Sequence, residues 1–212
     1  MRLEWLESRF RRRIDLAERR LGDYLQRTAK PLKSGAEIHE MEGWLSDVWQ
    51  TWGRFCRRAV IASCTGYDRP DGSTVAPTHQ SVGHVSFVAA KQKKGVAPAL
   101  VGVNYTLRYE PTWGHVDKLL DVIQALAPAN AGTLTSAFGT VPEIEHIRLI
   151  RNCAAHINHE TFADVIALQP QYIASPIAHP VEALLWTVPA TGQTLIHARL
   201  DEMRICAKNA CC

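Results

Sequence analysis

Arg148, Arg151, Asn152 and His156 fall within the nine residues Arg148-Leu149-Ile150-Arg151-Asn152-Cys153-Ala154-Ala155-His156. An arginine carries fixed charge to a phosphate and donates to it through a planar fork. A histidine moves protons near neutral pH. Cleavage of an RNA backbone without a metal needs both. The 2′-hydroxyl acts as nucleophile, a base takes its proton, charge builds on the phosphate and the 5′-oxygen leaves. The products are a 2′,3′-cyclic phosphate and a 5′-hydroxyl. General acid–base help contributes roughly a hundredfold to ten-thousandfold in rate, and a preorganised cation adds a comparable electrostatic contribution. The same residues have a plainer use: Arg151 paired with an acid such as Glu145, and His156 capping a helix C-terminus, where a cation is favoured.

Spacing tests the catalytic use. Arg151 and His156 are five positions apart, so on an ideal helix their directions differ by about 140°. Asn152 and His156, at i and i+4, share a face, and Asn152 is expected to orient the imidazole. Arg151 joins them if the helix loosens near His156 or if its long side chain swings around the face. Glu145 is placed to pair with Arg148, and Glu145 and His146 support the motif at most.

Arg151-Asn152-x-x-x-His156 resembles the signature of HEPN domains, an arginine and a polar residue followed by a histidine four to six residues on. The resemblance covers the helical segments, roughly residues 1–65 and 113–165, and not the middle stretch or the C-terminal tail. It implies an all-α, antiparallel helical bundle and a metal-independent endoribonuclease without a cofactor. It also implies a homodimer in which two copies of the motif meet in one composite cleft, a third route for Arg151 to meet a histidine. Arg151, Asn152 and His156 would be catalytic, with Arg148, His159, Arg11, Arg12 and Arg13 guiding RNA. Such proteins serve as toxins or antiviral-defence effectors, with an antitoxin or defence-complex protein as a further partner. The HEPN fold also occurs without nuclease activity, as a nucleotide-binding or dimerisation module, so a silent scaffold subunit is the alternative. A third class, a nucleic-acid-binding regulator using the first helix, predicts steep salt dependence without turnover.

The elements that must position the motif are legible as amphipathic helices. Leu3, Leu6, Phe10, Ile14, Ala17, Leu21, Tyr24 and Thr28 form one apolar stripe ending before Pro31. Residues 1–33 hold ten basic side chains against five acidic, an excess larger than the +3 of the whole chain. That face suits RNA or an acidic partner, and equally a solvated surface laced with Glu–Arg pairs. After a turn at Lys33-Ser34-Gly35, Trp44, Val48, Trp52, Phe55, Ala59 and Ala62 mark a second helix. A short turn between two long helices predicts an antiparallel pair. The aromatic row reads as core rather than as a base-stacking platform.

Residues 66–112 read as an irregular insertion, with turn residues over 66–83, a short helix or strand at Val85–Ala90, and a basic cluster at Lys91, Lys93 and Lys94. Val101–Leu107 has the alternation and β-branched content of a strand and reads equally as irregular chain. Short helices follow at Val116–Leu126 and Leu134–Phe138. Thr140 and Glu143 have the spacing of a capping box for the motif helix, whose buried side runs Ile144, Ile147, Ile150 or Arg151, Ala154. Glu160–Leu168 reads as helix. Residues 170–212 form a C-terminal extension divided by Pro176, Pro180 and Pro189, with Val181–Val188 a packed strand or helical turn and Gln193–Asn209 a last helix.

At 212 residues the chain suits a single domain with a core of its own. No run of about 18 apolar residues exists, so no membrane span is expected. The charged N-terminus lacks the apolar centre of a signal peptide, and a cytoplasmic location is expected. The six cysteines form no C-x-x-C pair. Cys56 and Cys64 read as buried apolar residues, and Cys211 and Cys212 as a frayed tail without a role. His39, His79, His84, His115, His179 and His197 are scattered without metal-ligand spacing, so no metal site is expected.

Overall fold

A computed structural model of the chain describes residues 2–28, 34–92 and 110–212. Among the described residues the protein is all-α apart from one small hairpin. Its elements are α1 (Leu3–Arg27), α2 (Gly35–Thr65), β1 (Tyr67–Asp68), β2 (Thr74–Val75), α3 (Val82–Lys91), α4 (Val116–Leu126), α5 (Ala131–Gly139), α6 (Ile144–Ala155), α7 (His159–Ile166) and α8 (Leu195–Cys211), with 3-10 turns at Gln169–Gln171 and Pro180–Leu185. The chain divides into two compact units. One comprises Met1–Arg11, Trp52–Pro142 and Ile205–Cys212; the other comprises Arg12–Thr51 and Glu143–Arg204.

In the first unit the aromatic row of α2 is core. Phe10 lies 4.5 Å from Phe55, ring centre to ring centre, and Trp52 stacks on Phe55 at 5.8 Å. Phe138 of α5 meets Trp52 edge-on at 5.9 Å. Such tilted and edge contacts suit the ring quadrupoles. The buried Trp52 donates its indole N–H to the Gly114 carbonyl at 3.1 Å, which satisfies its single polar atom. Cys56, Cys64 and Cys206 are buried there, and burial pushes each thiol up. They are inert apolar packing groups. Cys211 is also buried, within α8, so only Cys212 matches the expected frayed tail.

Residues 66–92 are more regular than their turn residues suggested. β1 and β2 pair antiparallel with Tyr67 opposite Val75. Ser81 caps α3, its hydroxyl accepting from the His84 N–H at 3.2 Å. Lys93, Lys94 and Val101–Leu107 lie outside the described residues, as do Lys30, Pro31 and Lys33.

In the second unit α1 and α2 run antiparallel. Trp44 donates to the Ala17 carbonyl at 2.8 Å, and Tyr24 to the Glu37 carbonyl at 2.6 Å. Ile14, Leu21, Leu45 and Val48 are buried, as the stripe predicts. The Arg204 guanidinium fastens α8 to α1 through Asp15 at 3.0 Å and through Glu18. Residues 170–212 are therefore no appendage: Val181, Leu184, Trp186, Leu195 and Leu200 are core. The prolines that read as dividers include Pro180, which occupies the first turn of a 3-10 helix, where a missing N–H costs nothing.

Candidate functional site

Ile144, Ile147 and Ile150 recur at helical spacing, and with Cys153 they bury one face of α6. The expected capping box does not start this helix. Thr140 has helical backbone angles, φ −87° and ψ −1°, rather than the extended ones an N-cap needs. Its hydroxyl turns back to the Ala137 carbonyl at 2.9 Å. Pro142 delays helix entry to Ile144, and Glu143 instead pairs with Arg199.

α6 ends one residue short of the motif histidine. His156 takes φ −145° and ψ 63°, while its N–H still reaches the carbonyls of Asn152 at 3.0 Å and Cys153 at 3.1 Å. The next helix fixes the exit. Asn158 caps α7 by accepting from the Thr161 N–H at 2.9 Å, and the Thr161 hydroxyl donates to the His156 carbonyl at 2.9 Å. The backbone at His156 is thus held on both sides, and its imidazole is exposed.

The Asn152 side-chain oxygen accepts from Arg151 Nη1 at 3.3 Å. Asn152 thus engages the arginine through its side-chain oxygen. Arg148 pairs with Glu145 on the same helix. His159 is exposed in the first turn of α7, and Arg11, Arg12 and Arg13 are exposed on α1.

Arg151 opens onto a cleft of about 260 Å³ between α6 and α2, lined by His39, Glu42, Ser46, Ala154 and Ala155 among others. Glu42 bridges two imidazoles. Its Oε2 lies 3.0 Å from His39 Nδ1, and its Oε1 lies 3.4 Å from His179 Nε2. His179 Nδ1 accepts the Val181 N–H at 3.4 Å, so the proton of neutral His179 sits on Nε2, facing the carboxylate. Burial pushes the His179 imidazole down, against the opposing pull of Glu42 and Glu182. His39 and His179 read as scattered along the sequence. His39-x-x-Glu42 on one helix was the available signal for half of this cluster, whereas His179 is brought in only by the fold.

A second polar cluster joins α6 to α8. Arg199, only 3% exposed, holds Glu143 and, at 3.1 Å, Glu202. His146 Nδ1 lies 2.6 Å from the Tyr172 hydroxyl. Burial, then the Arg199 charge, pushes His146 down, and burial pushes Tyr172 up to about 12. The guanidinium is sealed from solvent while Glu143 is half exposed, so this ion network runs from the interior to the surface.

Among the described residues no group of three or more His, Cys, Asp or Glu side chains is arranged to hold a metal ion, and no helix is long and apolar enough to cross a membrane. Comparison with protein-family models, curated proteins and solved structures finds no match for this chain.

Proposed function

We propose that the chain is a HEPN-like ribonuclease that cleaves RNA without a metal, by attack of the 2′-hydroxyl on the adjacent phosphate. The observation that carries this reading is the divergence at the end of α6. Arg151, held by Asn152, opens onto a cleft, and five residues later the helix releases an exposed histidine on a fixed backbone. Arg151 takes the phosphate oxygens through its fork. His156 transfers a proton as the 2′-oxygen closes on phosphorus and the bond to the 5′-oxygen breaks. The reading includes a homodimer. Ile157, beside His156, is 57% exposed, and a second copy meeting this end of α6 would cover it.

The test is purified protein beside His156→Ala, incubated with total RNA in EDTA, followed by end-group analysis. Cleavage by the parent alone, leaving 2′,3′-cyclic phosphates, is the expected result. Equal cleavage by both removes His156 from the mechanism. One observation favours a silent scaffold instead: among the described residues no side chain holds the His156 imidazole in a fixed orientation. A scaffold predicts intact RNA from both proteins.

A further inference from the structure

Transesterification of RNA moves two protons. One leaves the 2′-hydroxyl and the other reaches the departing 5′-oxygen. The motif supplies one imidazole per chain. We infer that His39 is the second proton carrier, set on the same α2–α6 cleft as Arg151. This rests on the ribonuclease reading and specifies the site further.

Three observations converge. First, His39 and Arg151 line the same cleft, as does Ala155, the residue before His156. Second, the tautomer of His39 is set. Glu42 Oε2 accepts from its Nδ1 at 3.0 Å, which leaves the Nε2 lone pair of the neutral ring available as a base. A carboxylate holding the far nitrogen of a histidine also stabilises the imidazolium formed when Nε2 takes a proton. Third, Glu42 is itself fixed, because its other oxygen faces His179 at 3.4 Å and His179 is held in turn by the Val181 N–H. Glu42 and His179 are positioning residues in this arrangement.

The cleft is small. At about 260 Å³ it lies below the usual range for a whole ligand and suits one phosphoribosyl unit of a longer strand. Arg151 takes the phosphate. His39 Nε2 accepts the 2′-proton as the 2′-oxygen bonds to phosphorus. The bond to the 5′-oxygen breaks, and that oxygen takes its proton from the imidazolium of His156. The side chain of His39 is 80% exposed, so substrate reaches it without any opening of the fold.

The experiment is single-turnover cleavage of an oligouridylate in EDTA, from pH 5 to 9, by the full chain and its His39→Ala, Glu42→Gln and His156→Ala variants. The inference expects His39→Ala to slow cleavage by about a hundredfold to ten-thousandfold and to flatten one limb of the rate–pH profile. Added imidazole should restore part of that loss. Glu42→Gln should shift the same limb, while affinity for an uncleavable 2′-O-methyl oligonucleotide stays unchanged. A parent that cleaves beside a His39→Ala variant with the same rate and both limbs overturns the inference and leaves the ribonuclease reading standing. A parent that does not cleave overturns both.

Discussion

Arg57 and Glu110 form a two-pronged ion pair, Nε to Oε2 at 2.6 Å and Nη2 to Oε1 at 2.8 Å. The Trp113 indole N–H adds a bond of 2.7 Å to the same carboxylate, whose side chain is 6% exposed. Burial alone would push the Glu110 carboxyl up. Hydrogen bonds from Arg57, Ser86 and Trp113, with the guanidinium charge, outweigh it and hold the group below the usual carboxylate range. A carboxylate with a depressed folded pKa contributes stability above its unfolded pKa and loses it as pH falls through the folded value. Glu110→Gln is therefore expected to cost about 1.5–3 kcal/mol at pH 7, because a neutral amide replaces the charged acceptor that holds Arg57 and Trp113. Urea unfolding at pH 7 and pH 3 checks this. The gap between parent and variant should narrow in acid, and a constant gap would refute the charge assignment.

Glu202 behaves in the opposite sense. Burial pushes its carboxyl up to about 7; Arg199 pulls it down, and Glu143 and Asp201 push it up again. With a folded pKa above the unfolded one, its contribution to stability is fully present below about pH 4.5 and is lost as pH rises through about 7. Glu202→Gln keeps the shape and removes the charge. It should raise stability at pH 8 by on the order of 1 kcal/mol, or about 2–4 °C in Tm, and leave it unchanged at about pH 4. Thermal unfolding at both values decides; a variant less stable at pH 8 would mean that the ion pair to Arg199 dominates.

The helices and their buried faces were legible because amphipathic periodicity survives any tertiary detail. The stripe from Leu3 to Tyr24 is buried as read, and so are Val48, Trp52, Phe55 and Ala59. Local chemistry was less legible where one residue had two uses. Thr140 had the spacing of a cap but its backbone angles made it close α5 instead. Asn152 had the spacing to meet His156, and its side-chain oxygen is bonded to the neighbouring Arg151, a contact that helical spacing does not mark. The Glu42 cluster was only half legible, for another reason. His39 and His179 are far apart in the chain, and no periodicity marks two residues that meet only when Pro180–Leu185 folds back.

Two glycines with positive φ separate backbone strain from crowding. Gly72 has φ +84° and open space around it, in a turn where Asp71 accepts from the Ser73 N–H at 2.9 Å. Gly66 has φ +91°, and a methyl there would stand 3.0 Å from the Val75 carbonyl oxygen and 3.3 Å from Pro77. Gly72→Ala is expected to cost about 1–2 kcal/mol, the left-handed penalty alone. Gly66→Ala adds a forced backbone shift and should cost about 2–4 kcal/mol. Denaturant midpoints of the two variants give the comparison, and equal losses would show that the hairpin yields at Val75 without resistance.

Arg151 offers a test that separates charge from geometry. Its side chain is half-buried and bonded to the neutral Asn152 amide, so replacing it should change stability by no more than about 0.5 kcal/mol. Lysine keeps the charge and loses the planar fork. Under the ribonuclease reading, Arg151→Ala should slow cleavage by about a hundredfold to a thousandfold. It should also lower the salt slope for binding a 2′-O-methyl oligonucleotide by about 0.7, the share of one phosphate contact on a single strand. Arg151→Lys should keep the slope and still lose much of the rate, because a point charge cannot grip two phosphate oxygens at once. Full activity in the lysine variant would show that a cation suffices at this position and that the Asn152 contact does not orient a catalytic fork.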